Sequence, residues 1–511
     1  MKKSKLILLI VISAVLSGLS RYDLPLDFLA FFAFIPLFRF FQLAVDELES
    51  KKFKDKLLFC LISGSVYSIV FLTISVHWIS LVTLGGFIGI LALYSFYYTV
   101  FFMLLIWGIS RYKKHFAHFI ILGFVSLEYV LSFGPFKFPW LNIGYSLSHS
   151  IYLLQVLEYG GVYLLSFLIL VINYLLFIYL FKNKEKRHLF VAFIIMITWW
   201  TVGYYKYHSI ETSFISTKAG IVQVSIPQEM KWEAAFLDST VNLYKQKTIE
   251  LVQNDSVDLV VYPEAAIPLY LMQWESSLDD MLLFANKVGV NVFTGFPHYE
   301  NGVKYKMQPE PYLFYNASNQ FKPNLVADSM YCKNQLVPFG ERIPFLEYFP
   351  ILWKLQFGQA NFEHGDGYRY YQVKNAVYSP LICYEVIFPD YVRKMVNPRL
   401  DFIVNITNDA WFKRSIGTYQ HKMMCVFRAI ENRRTIFRAA NTGYSVIVSP
   451  RGDISQELGL YEVGTISSQI EACKKISFYH KYGYVFPLLI LFSFFIEFVL
   501  TFFQSYGKRH I

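Results

Sequence analysis

Cysteine is scarce in this chain of 511 residues: there are five, scattered, with no Cys-x-x-Cys pair. That excludes a disulfide-stapled scaffold and a zinc ribbon. Charge is scarce as well. Asp, Glu, Lys and Arg make up 16% of the residues, where an ordinary soluble domain carries about 25%. Internal repeats and low-complexity tracts are missing too. What fills the space is apolar: 55% of the residues are hydrophobic and the mean hydropathy is +0.37. The balance is that of a protein embedded in a membrane, at least in part.

The apolar residues are concentrated. Runs at about 6–20, 26–45, 57–82, 85–110, 116–134, 151–181 and 189–205 each approach the roughly 20 residues needed to span a bilayer. The stretch from about 215 to 475 has soluble composition, and a last apolar run covers 484–503. The expected organisation is a transmembrane domain over 1–210 with about seven helices, an extracytoplasmic domain over 215–475, and a C-terminal transmembrane helix with a short cytoplasmic tail over 480–511. Lys2, Lys3 and Lys5 before a short apolar stretch also fit a cleaved signal peptide. Topology changes little either way, because the second run would still begin on the far side.

Placement of charge decides what the net +10 means. With the N-terminus in the cytoplasm, the inside segments hold Lys2, Lys3 and Lys5, then Lys51, Lys52, Lys54 and Lys56. They continue with Arg111, Lys113 and Lys114, then Lys182, Lys184, Lys186 and Arg187, and finally Lys508 and Arg509. The short outside loops hold Arg21 and Lys137. This asymmetry fits about eight transmembrane helices with both termini inside. The positive charge therefore reports topology, and no nucleic-acid partner is expected.

Between 215 and 475, two kinds of pattern alternate. "AGIVQVSI" (219–226), "VDLVVYPEAA" (257–266), "VNVFTGFPHY" (290–299), "AVYSPLICYE" (376–385), "LDFIVNITND" (400–409) and "TIFRAANTGYSVIVSP" (435–450) read as strands. "YLFYNASNQF" (312–321) and "LVADSMYCKNQL" (325–336) read as an antiparallel pair. Helical spacing occupies 234–253, 274–288, 389–396 and 418–433. The mixture predicts a layered α/β domain, large enough for its own core.

Three groups at expected strand ends carry chemical potential. Glu264 ends "VVYPEAAIP", Lys333 lies in "MYCKNQLVPFGERIPF", and Cys383 sits in "ICYEVIFPD". A thiol acts as a nucleophile only as thiolate, so it needs a base, and attack on a carbonyl needs a positive group for the oxyanion. Taken singly, each has a plainer explanation. A Glu or Lys at a strand end is usually solvated, and a Cys after apolar residues is usually core.

Taken together, "YPEAAIP", "KNQLVPFGERIP", "LICYE" and "NITNDAWF" resemble the nitrilase superfamily, with its Glu-Lys-Cys triad. More narrowly, the chain resembles the apolipoprotein N-acyltransferases, in which a nitrilase-like domain is inserted before the last of eight membrane helices. The resemblance spans nearly the whole chain and takes in "VSIPQEMKW" (224–232), "FPWLNIGYSLS" (138–148), "GFPHY" (295–299), "YNAS" (315–318) and "HKMMCVFRAIENRRTIFRAANTGYS" (421–445). It implies an α-helical membrane domain joined to an αββα sandwich. Glu264 would be the general base, Cys383 the nucleophile that carries an acyl chain as a thioester, and Lys333 the oxyanion holder with a neighbouring backbone N–H. Glu341 would be a second carboxylate at the site, Tyr384 and Glu385 would flank the nucleophile, and Trp232 would line the substrate site. A phospholipid would give the acyl group, in ping-pong fashion, to the α-amine of the S-diacylglyceryl cysteine of an apolipoprotein. The resemblance further implies a multi-pass monomer in the bacterial inner (cytoplasmic) membrane, with its catalytic domain on the periplasmic face and no metal or cofactor.

One departure concerns "NITNDAWF", after which the family commonly has Gly and this chain has Lys413-Arg414. Acceptor and headgroup preference are therefore not carried over. His421 and Arg428 read as structural partners, Cys332 as a core thiol facing away from Lys333, Cys425 and Cys473 as buried, and Cys60 as part of a membrane helix. Glu128, Glu158 and His77 are ionisable groups in apolar spans, where packing and interface roles compete with function. "FGPFKFPWLN" (133–142) offers interfacial aromatics and a candidate lipid portal. The competing reading is a membrane-anchored nitrilase-type amidase acting on a small amide. It would share the triad but leave most of the membrane helices unexplained. A silent scaffold or transporter is disfavoured by the full set of Glu264, Lys333 and Cys383.

Overall fold

The computed structural model describes residues 3–305, 308–354 and 361–507. Lys2, Lys508 and Arg509, used in the charge argument, lie outside these. The chain divides into two compact units, one of Met1–Ser209 with Lys481–Ile511 and one of Ile210–His480.

The first unit is helical. Among the described residues, six helical segments are long and apolar enough to cross a membrane: Asp27–Leu48, Phe53–Val76, Leu84–Arg111, Leu157–Asn183, Lys186–Ser209 and Val485–Phe503. The helices Lys3–Leu19 and Phe116–Val130 have 17 and 15 residues, below the usual spanning length of about 20. Small residues let the backbones approach. A Cβ on Gly64 would lie 2.6 Å from the Thr99 backbone nitrogen, so the helices around them pack through glycine. Some polar groups find partners within the bundle. Asn173 accepts from the Phe34 N–H and donates to the Ala30 carbonyl, Glu158 pairs with Lys206, and His118 meets Glu497. Trp140 of the "FPWLN" segment is 2% exposed and packs on Trp78 and Phe138, so it is a bundle residue rather than an interfacial one.

The second unit is the expected αββα sandwich. One sheet holds β1 (Ser213–Gln223), β2 (Leu259–Val261), β3 (Asn291–Asn301), β4 (Tyr312–Lys322), β5 (Val326–Ala327), β6 (Tyr331–Cys332) and, far along the chain, β13 (Gly464–Ala472). The other holds β7 (Tyr371–Val373), β8 (Ala376–Ile382), β9 (Phe402–Thr407), β10 (Thr435–Ala440), β11 (Ser445–Val448) and β12 (Ile454–Leu458). The orders are β13-β1-β2-β3-β4-β5, with β6 also on β4, and β12-β11-β10-β9-β8-β7. β1–β2–β3 and β8–β9–β10 are parallel, which requires crossover connections. The helices Ala234–Asp255, Glu275–Val288, Pro389–Met395 and Ile416–Asn432 supply them.

Strand alternation sorts the core. Ile221, Leu259, Val261, Phe293, Ile382, Val404, Ile406 and Phe437 meet between the sheets. Val222, Val260 and Val292 face outward onto Tyr244, Leu251, Met281 and Phe284 of the helices. The stretch 435–450 is two antiparallel strands rather than one, because Asn441-Thr442-Gly443-Tyr444 turns the chain. β7, β12 and β13 add strands beyond those expected, and the strand at 257–266 stops at Val261, ahead of Pro263.

Candidate active site

Parallel pairing brings the carboxyl ends of neighbouring strands to one edge, where loops converge. Glu264 follows β2 and Cys383 follows β8. Asn408 follows β9, with Ile382 in register with Ile406. Lys333 follows β6, whose Cys332 is in register with Ala317 of β4, so the Lys333 N–H donates to the Asn316 carbonyl at 2.9 Å.

The charged groups form a buried cluster around Asn316. Its Nδ2 donates to Glu264 Oε1 at 2.7 Å and to Glu341 Oε1 at 3.0 Å. Lys333, 1% exposed, donates from Nζ to Glu341 Oε1 at 2.8 Å and stands 3.7 Å from Glu264 Oε1. Burial alone would lower the Lys333 pKa, but Glu341, Glu264 and the Cys383 thiol together carry it above the ordinary lysine value. This ammonium stays charged. The second oxygen of Glu264 accepts from the Asn408 N–H at 2.8 Å, and Asn408 is held in turn by Gln228 and Asn441. Gly295 of β3 makes room for this turn: a Cβ there would lie 2.9 Å from the Ala265 nitrogen and 3.0 Å from Glu264 Cα.

Cys383 is partly buried and has φ +51. That left-handed conformation is strained for a residue with a Cβ. The nucleophile candidate does not continue its strand, as the reading of 376–385 had it, but opens a 3-10 turn, Cys383–Ile387. Burial pushes its thiol above the ordinary value and Glu264 adds to that, while Lys333 and a hydrogen bond with Thr407 pull the other way. At rest the sulfur carries its proton beside groups able to take it and to stabilise negative charge.

The flanking residues take distinct places. Glu385 is fully buried and accepts from the N–H groups of Ile382, Asn334 and Gln335 and from the Tyr331 hydroxyl. It ties the turn of Cys383 to the loop after Lys333. Tyr384 is 6% exposed and packs edge-on against Phe388. Trp232 is 46% exposed and lies on the wall of a cleft of about 760 Å³, with Tyr270, Trp274, Phe314 and Trp353. Its neighbour Lys231 links that wall to the site by donating to the Glu264 carbonyl at 2.9 Å. Burial brings the Lys231 ammonium down to about 8, against the pull of Glu264.

Sequence reasoning missed Asn316, Lys231 and Asp409, the last of which, after β9, accepts from Thr407 Oγ1 and Arg438 Nη2. Each stands in a block already quoted, "YNAS", "MKW" or "NITND", but a neutral amide or a charge whose partners come from elsewhere in the chain shows no signal of its own. The lesser expectations stand as follows. Cys332 packs among the residues under the outer helices of the first sheet, and Cys425 and Cys473 are buried. Arg428 pairs with Glu431 and donates to the carbonyls of Val386 and Ile387.

Residues 218–474 match the carbon-nitrogen hydrolase family, and residues 13–175 match the apolipoprotein N-acyltransferase N-terminal domain. The chain is 31% identical to an apolipoprotein N-acyltransferase of Geobacter metallireducens, over 71% of this chain and 70% of the relative. It is 34% identical to one of Rickettsia bellii, over 76% of each chain. With one of Chlorobaculum tepidum it shares 26% identity over 96% of this chain and 95% of that one.

Proposed function

Because this chain belongs to the apolipoprotein N-acyltransferase family, we propose that it moves an acyl chain from a membrane phospholipid, through a thioester on Cys383, to the α-amine of a lipoprotein's S-diacylglyceryl cysteine. The supporting observation is the Glu264–Asn316–Glu341–Lys333 cluster, of which Glu264 and Lys333 act electrostatically on the Cys383 sulfur.

The proposed steps use these groups in order. Glu264 takes the thiol proton as sulfur attacks the ester carbonyl. Lys333 and the N–H beside Cys383 stabilise the oxyanion. Collapse breaks the ester C–O bond, and the lysophospholipid alkoxide leaves with the proton held by Glu264. The acceptor amine then attacks the thioester and Glu264 takes its proton; collapse breaks the C–S bond, and the departing thiolate recovers the proton from Glu264. Lys333 remains an ammonium throughout, since Glu341 and Glu264 hold it so.

The membrane-spanning unit supports a donor that lies in the bilayer. The charge asymmetry of the loops supports a catalytic unit on the periplasmic face, and the proposed protein acts as a monomer. Intact-protein mass spectrometry tests the reading. Incubation with phospholipid and no acceptor should add one acyl chain, labile to hydroxylamine, to the wild type and nothing to Cys383→Ala. Release of ammonia from a small amide without any such adduct would replace this reading with the membrane-anchored amidase.

A further inference from the structure

The Cys383 carbonyl has a partner that the scheme above leaves unused. His421, on the helix Ile416–Asn432, is 1% exposed, and its Nε2 lies 3.3 Å from the Cys383 main-chain oxygen. Its Nδ1 lies 2.9 Å from Asp409 Oδ1 and 3.1 Å from Arg438 Nη2. Asp409 is itself fixed, accepting from Thr407 Oγ1 at 3.0 Å and from Arg438 Nη2 at 2.6 Å. Arg438 also donates to Asn405 at 2.6 Å. Strands β9 and β10 and the covering helix thus place this imidazole against the back of the nucleophile turn.

A carbonyl oxygen only accepts, so Nε2 carries a proton in this contact. That holds if the ring is neutral and Arg438 donates to Nδ1. It also holds if the ring is charged and Nδ1–H donates to Asp409. Burial and then Arg438 bring the His421 pKa below its ordinary value, against the pull of Asp409 and of the Cys383 carbonyl.

The contact falls where a restraint has most effect. Cys383 sits at φ +51, a strained conformation that persists only where the surroundings impose it. The oxygen that His421 reaches belongs to the planar Cys383–Tyr384 peptide. Holding that oxygen fixes ψ of Cys383, hence the direction of the Cα–Cβ bond that carries Sγ, and it turns the Tyr384 N–H to the opposite side.

We propose that His421, oriented by Asp409 and Arg438, is a positioning residue for the nucleophile, its Nε2–H fixing the Cys383–Tyr384 peptide so that thiol and N–H are presented together. This rests on Cys383 being the acylated residue.

Two amide substitutions separate this from simple packing. Gln places its amide nitrogen where Nε2 stands and keeps the donor to the carbonyl. Asn places its nitrogen where Nδ1 stands and keeps only the Asp409 contact. The full-length wild type, His421→Gln, His421→Asn and His421→Ala are incubated with micelles holding phosphatidylethanolamine and phosphatidylglycerol, and the rate of hydroxylamine-labile mass gain is read. His421→Gln should acylate within about tenfold of wild type. His421→Asn and His421→Ala should fall about 100-fold in kcat, with KM for phospholipid unchanged, the size expected of a misplaced reacting group. Site-resolved alkylation of Cys383 by iodoacetamide, without lipid, should follow the same order.

An active Asn variant beside an inactive Gln variant would overturn the proposal and leave His421 as an anchor for Asp409. So would equal rates in all three. Should Asn and Ala fail to fold, a folded but inactive Gln variant overturns it alone. A wild type that gains no acyl mass overturns the thioester reading instead, and the alkylation order then still decides the positioning role.

Discussion

Glu385 Oε1 accepts the main-chain N–H of Asn334 at 2.7 Å, across 51 residues of sequence. With Gln335 on the same oxygen, and Ile382 and Tyr331 on the other, one carboxylate clamps the turns that carry Cys383 and Lys333. A glutamine cannot replace it. Whichever way the amide points, its NH₂ faces a main-chain donor, and each buried unmet donor costs about 1–3 kcal/mol. Glu385→Gln should therefore lower the melting temperature and the rate of thioester formation together. A variant that keeps both would remove the clamp from the argument.

Lys413 stands where the resemblance implies glycine, and its backbone is what glycine would suit. Its φ of +51 and ψ of −152 place it near a region occupied almost only by glycine. The exposed side chain gives nothing obvious in return. Lys413→Gly should stabilise the fold by about 1 kcal/mol, the strain relieved less the entropy glycine adds to the unfolded chain. Thermal unfolding in detergent would show this as a rise of a few degrees; a fall would mean that the lysine makes a compensating contact.

Sequence marked Glu264, Lys333 and Cys383 as candidates because they sit in blocks of unusual composition: Glu264 between prolines, Lys333 before "NQLVPFGERIP", Cys383 before Tyr384 and Glu385. It carried the sandwich because β8 and β9 read as short, largely apolar runs, the pattern of strands buried on both faces. It did not carry β13, whose "GTISSQIEA" is polar and becomes a strand through its antiparallel partner β1, some 250 residues earlier. Nor did it show Asn316 between two carboxylates, or His421 behind the nucleophile. Those contacts exist only once β4, β9 and the helix over β10 are stacked, so no local pattern marks them. The 3-10 turn at Cys383 was hidden in the same way, since the residues before it continue the strand pattern without a break.

Asn316 sits between Glu264 and Glu341 and shares both with Lys333. Asn316→Asp would put a third carboxylate beside one ammonium, and like charges at this range cannot all remain ionised. Thioester formation should fall by about 100-fold or more. Asn316→Ala should fall by less, about tenfold, because Glu264 keeps the Asn408 N–H on its other oxygen. An order reversed between the two would show that the amide acts through its hydrogen bonds and not through its neutrality. Initial rates of acyl mass gain for the two variants decide this.

The charges around Cys383 pull in opposite directions, and two variants separate them. Burial first, and Glu264 second, raise the thiol pKa; Lys333 lowers it. An ordinary thiol ionises near pH 8.5, so Cys383 should alkylate more slowly than a reference peptide thiol there and gain only as the pH rises further. Lys333→Met removes the group that favours thiolate, and alkylation should slow at every pH. Glu264→Gln removes a negative charge, so the resting thiol should alkylate faster than in the wild type while acylation by phospholipid is lost with the base. Site-resolved alkylation rates across pH, set beside acyl mass gain, read both arms. Slower alkylation in Glu264→Gln would mean that its carboxylate assists ionisation more than it repels the thiolate. Retained acylation in that variant would take the base role from Glu264 altogether.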